Sequence, residues 1–213
     1  EIEIFWFLLS QTFIKIKNLD SDYWNNRYLC KDSPWDLGAP SPALVQYFNN
    51  LNDKQLRILI PGAGNSYEAE YLFRNGFSNV TVLDFSEKAL ENFSNRCPDF
   101  PEQQLIQMDF FHHQGTYDFI VEQTFFCALN PELRKSYVEK MNELLAVKGK
   151  LCGLLFDDEQ LKGNPPFGGT KAEYQKLFST HFQLTVFETC NDSIGPRQNR
   201  ELFIELEKIT SIH

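Results

Sequence analysis

The sequence predicts an α/β fold in which a mostly parallel sheet carries helices on both faces. Apolar runs of strand length alternate with helical segments along the 213 residues, which is typical of a doubly wound sheet. The first such run, residues 57–60, leads into a Pro-Gly-Ala-Gly turn and then into Ser66, a residue type that often begins helices. Two runs near the end, 182–188 and 201–206, are close enough in sequence to pair as an antiparallel hairpin.

The remaining elements follow in regular order. Five strands are expected to be parallel because right-handed crossovers join them, and they lie at residues 57–60, 79–83, 104–107, 117–122 and 149–156. Helices are expected at residues 43–51, 66–75, 86–96, 131–145 and 170–181. The helix at 131–145 has an apolar face formed by Leu133, Tyr137, Met141, Leu144 and Leu145. With the closing hairpin, the prediction is a seven-stranded Rossmann-like sheet with an antiparallel last strand.

Residues 23–213 are expected to form a single domain, preceded by an N-terminal arm or helix over residues 1–22. No linker-like segment, internal repeat or low-complexity tract interrupts the chain. The arm contains an apolar Ile-Phe-Trp-Phe-Leu-Leu stretch, which is much shorter than the roughly 20 residues that a membrane span needs. It also lacks a basic region and a small-residue cleavage site, so we expect neither a membrane anchor nor a signal peptide.

Charge and cysteine content narrow the class of partner. The formal net charge of -9 argues against a nucleic-acid backbone or an anionic membrane and favours a small molecule, including a cationic one. The 5 cysteines are scattered and contain no Cys-x-x-Cys pair, which is typical of reduced cysteines in a cytoplasmic protein. His112 and His113 have no His or Cys partner at ligand spacing, so no metal is expected. The expected assembly is a monomer or a weak homodimer.

Features at the ends of three consecutive predicted strands indicate an adenosyl ligand. Gly62 and Gly64 lack the third glycine of the dinucleotide fingerprint, so their turn suits a ligand without a pyrophosphate, whose amino-acid part lies against the backbone. Asp84 can accept both ribose hydroxyls from the next strand end. Asp109 can accept from an adenine amino group, and Phe110 can pack on the ring. Carboxyl ends of parallel strands are where such sheets bind ligands.

The ligand with these parts is S-adenosylmethionine, and the expected product is S-adenosylhomocysteine. Its sulfonium is a cation, and an aromatic face near it is worth about 0.5–2 kcal/mol. Trp24, Tyr28 and Trp35 offer such faces from a segment that precedes the glycine turn, in which residues 23–29 can form one short helix with an aromatic face and the rest is irregular. We therefore expect that segment to form a lid over the cofactor.

The chain resembles the thiopurine S-methyltransferase family, which includes plant thiol and halide methyltransferases. The motifs that carry the resemblance are YWNNRY, PWDLGAPSP, LIPGAGNSYEAEYL, LDFSEKAL, MDFF, EQTFFCALNPELRKSYVEKM and GNPPFGG, and they span most of residues 23–209. The resemblance implies the class I seven-stranded methyltransferase sheet. It also implies cofactor contacts from Trp24, Tyr28, Trp35, Gly62, Asp84, Asp109, Phe110 and Gln123. Gln123 departs from the Tyr or Arg of the family, Tyr28 from a common Trp, and Ala63 from a common Cys.

The acceptor pocket is expected around Phe125, Pro166 and Phe167. Neighbouring residues on a strand point in opposite directions, so one of Phe125 and Phe126 is expected in the core rather than in the pocket. Glu122 is the nearest candidate base, and a structural hydrogen bond is the role we favour for it. No catalytic residue is assigned.

The predicted activity is methyl transfer from S-adenosylmethionine to a small soft nucleophile: a thiol, hydrosulfide, halide or thiopurine-like compound. An O- or N-methyltransferase acting on another small metabolite is the first alternative. A domain that binds the cofactor without chemistry is the second. A nicotinamide-dependent oxidoreductase is disfavoured by the missing third glycine and by the extra C-terminal strand pair.

Overall fold

The structure, a computed structural model, describes residues 18–209. Most of the arm expected at residues 1–22 therefore lies outside the described residues, and helix α1 begins at Ser21, inside the predicted arm. The helices are α1 Ser21–Leu29, α2 Pro42–Phe48, α3 Tyr67–Arg74, α4 Glu87–Arg96, α5 Arg134–Leu144 and α6 Lys171–Phe178. The strands are β1 Ile58–Pro61, β2 Val80–Asp84, β3 Leu105–Gln107, β4 Tyr117–Gln123, β5 Leu145–Phe156, β6 Phe182–Thr189 and β7 Glu201–Lys208.

The strands form one 7-stranded sheet in the order β3-β2-β1-β4-β5-β7-β6. Pairs among β1 to β5 are parallel. Strand β7 lies between β5 and β6 and is antiparallel to both. The predicted fold class is thus confirmed, including the antiparallel closing hairpin. Within the described residues, no helix is long and apolar enough to cross a membrane.

Local sequence signals set most helix ends. Pro42 occupies the first turn of α2, where its missing N–H costs nothing. The Ser86 side chain accepts from the backbone N–H of Ala89 and caps α4. Thr170 and Glu173 form a capping box at the start of α6. Gly76, with φ 88°, follows the end of α3 as expected of a helix-terminating glycine.

Several local predictions are wrong. Strand β5 begins at Leu145 rather than at residue 149, and α6 ends at Phe178 rather than at residue 181. Ser66 precedes α3, but it has a left-handed backbone and its side chain makes no capping hydrogen bond. The helix expected at 43–51 ends at Phe48. The segment expected as one helix at 131–145 begins as a 3-10 turn, Pro131–Leu133, and Leu133 is 40% exposed rather than on the apolar face. A short 3-10 turn is common at the N-terminus of an α-helix, and Pro131 occupies the first position of this one.

The core consists of two apolar layers, one on each face of the sheet. One layer contains Leu72 of α3 and Phe93 of α4, both fully buried. The other contains Tyr137 of α5 and Phe178 of α6, also fully buried. A side chain of this size stabilises the fold by about 1.5–3 kcal/mol when it is removed from water. Because both faces are covered, the carboxyl ends of the strands remain as the open side of the parallel sheet.

Candidate functional site

A cavity of about 1260 Å³ lies at the carboxyl ends of β1, β2 and β4. Its wall includes nearly all of the predicted site residues: Trp24, Tyr28, Trp35, Gly62, Gly64, Asp84, Asp109, Phe110, Gln123, Phe125 and Pro166. Phe167 is the exception, since it lines a neighbouring cavity of about 410 Å³. The Phe167 N–H donates to the Cys127 carbonyl at 2.6 Å, which holds the backbone at the edge of the main cavity.

The glycine turn after β1 leaves no room for side chains. Gly62 has φ 56°, and a Cβ placed on it would lie 2.0 Å from the Phe125 ring. Gly64 has φ 54°, and a Cβ there would lie 2.6 Å from the Tyr28 hydroxyl oxygen. Both conformations favour glycine on backbone grounds as well. The turn therefore carries no side chain at these two positions, and the Phe125 ring and the Tyr28 hydroxyl pack against its backbone on the cavity wall.

Asp84, the last residue of β2, fixes the glycine turn. Its Oδ2 accepts from the Gly64 N–H at 2.8 Å, and its Oδ1 accepts from the Ser86 N–H at 2.8 Å. Burial raises the pKa of Asp84 to about 6, while these backbone hydrogen bonds act in the opposite direction. A carboxylate oxygen can accept more than one hydrogen bond, so both oxygens retain capacity toward the cavity.

Asp109 and Phe110 follow β3 at the rim. Asp109 is exposed, and its Oδ1 accepts from the Phe111 N–H at 2.8 Å, which leaves Oδ2 accessible. Phe110 is only 5% exposed and packs edge-on against Phe125, with ring centroids 5.2 Å apart. Phe110 thus contributes a small part of its ring to the cavity. Met108, 41% exposed, offers a larger apolar surface at the same rim.

The aromatic segment covers one side of the cavity. The Trp35 ring meets Trp24 and Tyr28 edge-on, with centroids 5.3 Å and 5.8 Å apart. Helix α1 is fastened to the start of α4 by Asn25, whose Oδ1 accepts from the Ser86 Oγ at 2.7 Å and from the Lys88 N–H at 3.1 Å. The lid expected from the sequence is therefore anchored two residues beyond Asp84.

Glu122 is a structural residue. Its Oε1 accepts from the N–H groups of Phe125 and Phe126 at 2.8 Å and 2.9 Å, and its Oε2 accepts from the Tyr137 hydroxyl. Burial raises the pKa of Glu122 to about 7. Phe126 is 1% exposed and belongs to the core, whereas Phe125 faces the cavity, in agreement with the expected division. The Oε1 of neighbouring Gln123 is buried without a hydrogen-bond partner among the described residues.

The opposite wall of the cavity comes from loops. It includes Cys127 and Ala128 after β4, Pro165 and Pro166, and Pro196 and Arg197 before β7. Arg134 of α5 fastens the proline loop, because its Nη2 donates to the Gly168 carbonyl at 2.8 Å. Arg197 Nη2 donates to the Trp35 carbonyl at 2.7 Å, which joins this wall to the lid.

Several lining residues were not selected from the sequence. Phe85 directly follows Asp84, and Met108 directly precedes Asp109. Their position next to these two predicted site residues was the sequence signal for them. Glu68 and Arg197 carry no local sequence signal, since helix and loop positions hold such residues on ordinary surfaces. Only the folded chain brings them to the cavity.

The cavity wall has an excess of uncompensated negative charge. Its three arginines pair with carboxylates outside the lining: Arg27 with Asp32, Arg197 with Glu201, and Arg200 with Asp158. The lining acids Asp20, Asp36, Glu68, Asp84 and Asp109 form no ion pair with any described basic residue. This wall suits a cationic ligand.

Within residues 18–209, no three His, Cys, Asp or Glu side chains are grouped so as to hold a metal ion.

Comparison with known proteins gives consistent results. The family model described as Thiopurine S-methyltransferase matches residues 19–212. A probable thiol methyltransferase 2 of Arabidopsis thaliana is 28% identical over 196 residues, covering 89% of this chain and 86% of that protein. Thiocyanate methyltransferase 1 of Brassica oleracea is 28% identical over 183 residues, covering 83% of this chain and 80% of that protein.

Solved structures support the fold. A 1,6-didemethyltoxoflavin-N1-methyltransferase of Burkholderia thailandensis, bound to S-adenosylhomocysteine, superimposes with a TM-score of 0.74 at 16% identity, covering 89% of this chain and 87% of that chain. At that identity the likeness concerns the fold alone. The family match covers nearly the whole chain, including the glycine turn, the strand ends and the aromatic segment that form the cavity. The chain therefore belongs to the thiopurine S-methyltransferase family of S-adenosylmethionine-dependent methyltransferases.

Proposed function

We propose that the chain transfers the methyl group of S-adenosylmethionine to a small thiol or thiolate, with hydrosulfide, halide and thiopurine-like compounds as further acceptors. One observation carries the proposal. A single cavity joins the glycine turn, the Asp84 carboxylate and the aromatic lid to an apolar wall around Pro165 and Pro166. The relatives named as thiol, thiocyanate and thiopurine methyltransferases support the same acceptor class.

The residues present fit the cofactor. Ser66 Oγ and Gln123 Oε1 are buried polar atoms on the cavity wall without partners among the described residues, so a polar ligand can satisfy them. Gly62 and Gly64 provide the bare backbone against which its amino-acid part would lie. The excess of acidic groups matches its positive charges.

We assign the adenosyl end to the strand ends and the sulfonium to the lid. Asp84 would accept the ribose hydroxyls, and Asp109 with Phe110 would meet the adenine. Trp24, Tyr28 and Trp35 would surround the sulfonium with aromatic faces, while Gln123 would contact the amino-acid part. All of these side chains line the same cavity, which supports the assignments.

The mechanism that we propose uses proximity and a dry pocket. When bound, S-adenosylmethionine supplies an electrophilic methyl group for in-line displacement by the acceptor. Phe125, Pro165 and Pro166 would exclude water and orient the acceptor sulfur, which converts a bimolecular encounter into an oriented one. A thiol with a pKa of about 8.5 is already partly ionised at neutral pH, so no strong base is required to form the thiolate.

Two nearby groups are unsuited to acid–base or nucleophilic roles. Glu122 already accepts three hydrogen bonds and is fully buried. The Cys127 thiol donates to the Thr124 carbonyl at 3.4 Å, and burial raises the pKa of this thiol, so it stays protonated. Arg197 also lines the cavity, but its guanidinium pairs with Glu201 and donates to the Trp35 carbonyl. Neither Arg197 nor the neutral Gln123 therefore offers an uncompensated positive charge to an anionic acceptor.

The test is an acceptor panel in which S-adenosylhomocysteine formation is measured by mass spectrometry. Alkyl and aryl thiols, hydrosulfide, thiocyanate, iodide and a thiopurine are compared with a phenol and an amine of matched size. Turnover of the sulfur nucleophiles is expected. Preferential turnover of the phenol or amine would favour an O- or N-methyltransferase. Cofactor binding by calorimetry with no turnover across the panel would favour a silent domain.

Two further properties are proposed on the same basis. The unpaired state of the 5 cysteines supports a cytoplasmic location. A complete cavity within one chain is compatible with a monomer or a weak homodimer, and light scattering over a range of protein concentrations would distinguish the two.

A further inference from the structure

Glu68 is a buried carboxylate on the cavity wall, in the first turn of α3. It is 6% exposed and lies beside the glycine turn. Its Oε1 accepts from the backbone N–H of Ser41 at 2.9 Å, and no side chain among residues 18–209 donates to either of its oxygens. A carboxylate removed from water in this way is costly unless another donor or a cation reaches it.

No described cation is free to compensate Glu68. Arg197 is the basic residue whose positive charge acts on Glu68, where it favours the ionised carboxyl. However, the Arg197 guanidinium pairs with Glu201 at 3.2 Å and donates to the Trp35 carbonyl at 2.7 Å. Burial raises the pKa of Glu68, as expected of an incompletely compensated acid.

The other lining acids have different positions or partners. Asp36 accepts from the Gly38 N–H at 2.7 Å, from the Asn65 amide and from the Tyr67 hydroxyl. Asp20 caps α1 by accepting from the Tyr23 N–H. Asp84 and Asp109 lie at the ends of β2 and β3, where the adenosyl part is placed.

The chemistry that would satisfy Glu68 is a primary ammonium group. Near Glu68, the wall also holds Ser66 Oγ, which is buried, 2% exposed and without a partner among the described residues. An acidic oxygen and an unpaired hydroxyl next to bare glycine backbone match a free amino acid, whose ammonium donates and whose carboxylate accepts.

From this arrangement we infer that Glu68 binds the α-ammonium group of the cofactor, with Ser66 Oγ as a neighbouring partner for the amino-acid end. The inference rests on the cofactor placement proposed above. Glu68 would then have two roles in one side chain. Its Oε1 holds the start of α2 through Ser41, and its other oxygen meets the ligand.

Glu68→Gln separates these roles, because the amide oxygen still accepts from Ser41 while the negative charge is removed. Calorimetric affinities are measured for S-adenosylhomocysteine, for its des-amino analogue and for 5′-methylthioadenosine, which lacks the amino acid. We expect the variant to lose about tenfold or more in affinity for S-adenosylhomocysteine. Its affinities for the other two ligands should stay within about twofold of the wild type.

Glu205→Gln is the matched control, since Glu205 is a buried carboxylate outside the cavity that bonds to Tyr47 and Lys150. It should leave all three affinities unchanged. The inference would be overturned if Glu68→Gln lost affinity equally for all three ligands, or if it lost no affinity for S-adenosylhomocysteine. If wild-type protein binds neither S-adenosylhomocysteine nor 5′-methylthioadenosine, the cofactor placement itself fails, which is a distinguishable result. Urea unfolding of each variant checks that the fold is retained.

Discussion

Tyr137 donates its hydroxyl hydrogen to Glu122 between α5 and the end of β4, where both residues are 0% exposed. The same carboxyl group accepts from the backbone N–H groups of Phe125 and Phe126, so one buried acid sets the chain direction after β4. The phenol of one helix thereby positions an aromatic ring that covers the glycine turn.

Tyr137→Phe should destabilise the protein in a pH-dependent way. Burial raises the pKa of Glu122 in the folded protein to about 7, so the carboxyl is neutral at about pH 5.5 and ionised at about pH 8. Because the pKa of Glu122 is higher in the folded than in the unfolded protein, the neutral carboxyl stabilises the fold at low pH. This contribution to the free energy of unfolding is lost as the pH rises through about 7. The lost hydrogen bond should cost about 1 kcal/mol at the lower pH and about 2–3 kcal/mol at the higher pH, measured by urea unfolding.

Tyr174→Phe is the control for that experiment. Tyr174 is equally buried, at 1% exposed, but it donates to a neutral acceptor, the Phe156 carbonyl, at 3.1 Å. Its cost should be about 1 kcal/mol at both pH values. A pH-independent cost of Tyr137→Phe would contradict an ionisable partner.

Gly62→Ala should damage both stability and cofactor binding. The φ of 56° is unfavourable for alanine, and the new methyl group would overlap the Phe125 ring. The expected loss is about 2–4 kcal/mol in the free energy of unfolding, because backbone strain and overpacking add. Affinity for S-adenosylhomocysteine, measured by calorimetry, should fall as well.

Gly76→Ala isolates the backbone component of that effect. Gly76 has φ 88° and open space around its Cβ position, and it does not line the cavity. It should cost about 1 kcal/mol in stability and leave cofactor affinity unchanged. Equal effects of the two alanine variants would show that Phe125 contributes nothing to the requirement for glycine at position 62.

Cofactor affinity should decrease in acid because of Asp84. Its pKa of about 6 in the unliganded protein means that below this value the carboxyl gains a proton and loses capacity to accept from ribose hydroxyls. For 5′-methylthioadenosine, affinity should be constant above about pH 6 and fall about tenfold per pH unit below it. The Asp84→Asn variant should bind 5′-methylthioadenosine more weakly than the wild type, and its affinity should not change with pH in this range. A wild-type affinity that is constant between about pH 5 and 7 would rule out the ribose-binding role of Asp84.

Asn25→Ala should loosen the lid without unfolding the domain. The substitution removes the acceptor that joins α1 to Ser86 and to the Lys88 N–H. We expect the affinity for S-adenosylhomocysteine, measured by the quenching of tryptophan fluorescence, to fall about 3–10-fold. Asn26→Ala, on the exposed side of the same helix, should leave affinity unchanged. An equal decrease in the two variants would point to the helix as a whole rather than to the Asn25 contact.

The strand ends could be predicted from the sequence because they are local. Asp84 and Asp109 each follow a β-branched or apolar run, and parallel strands bring such positions to one edge. The insertion of β7 between β5 and β6 depends on long-range pairing that no short motif encodes. For the same reason, sequence patterns did not place Glu68 and Arg197 at the cavity.

The errors at Ser66 and Leu133 have a local cause. Serine is a common helix cap, but here a left-handed backbone after the glycine turn directs the Ser66 hydroxyl away from the capping position. Leu133 fits the helical period, but Pro131 begins a tighter turn that carries this side chain to the cavity rim. Phe167 lies in an irregular loop, where residue type alone does not fix direction.

The two walls of the cavity have different chain origins. The wall that we propose for the adenosyl part comes from strand ends, whereas the wall around Pro165, Pro166 and Pro196 comes from loops fastened at a few points by Arg134 and Arg197. Loops tolerate replacement and changes in length better than sheet edges do. Relatives can therefore diverge toward new methyl acceptors by exchanging loop residues while inheriting the same cofactor site, and grafting a relative's proline loop onto this chain is a direct route to altered acceptor preference.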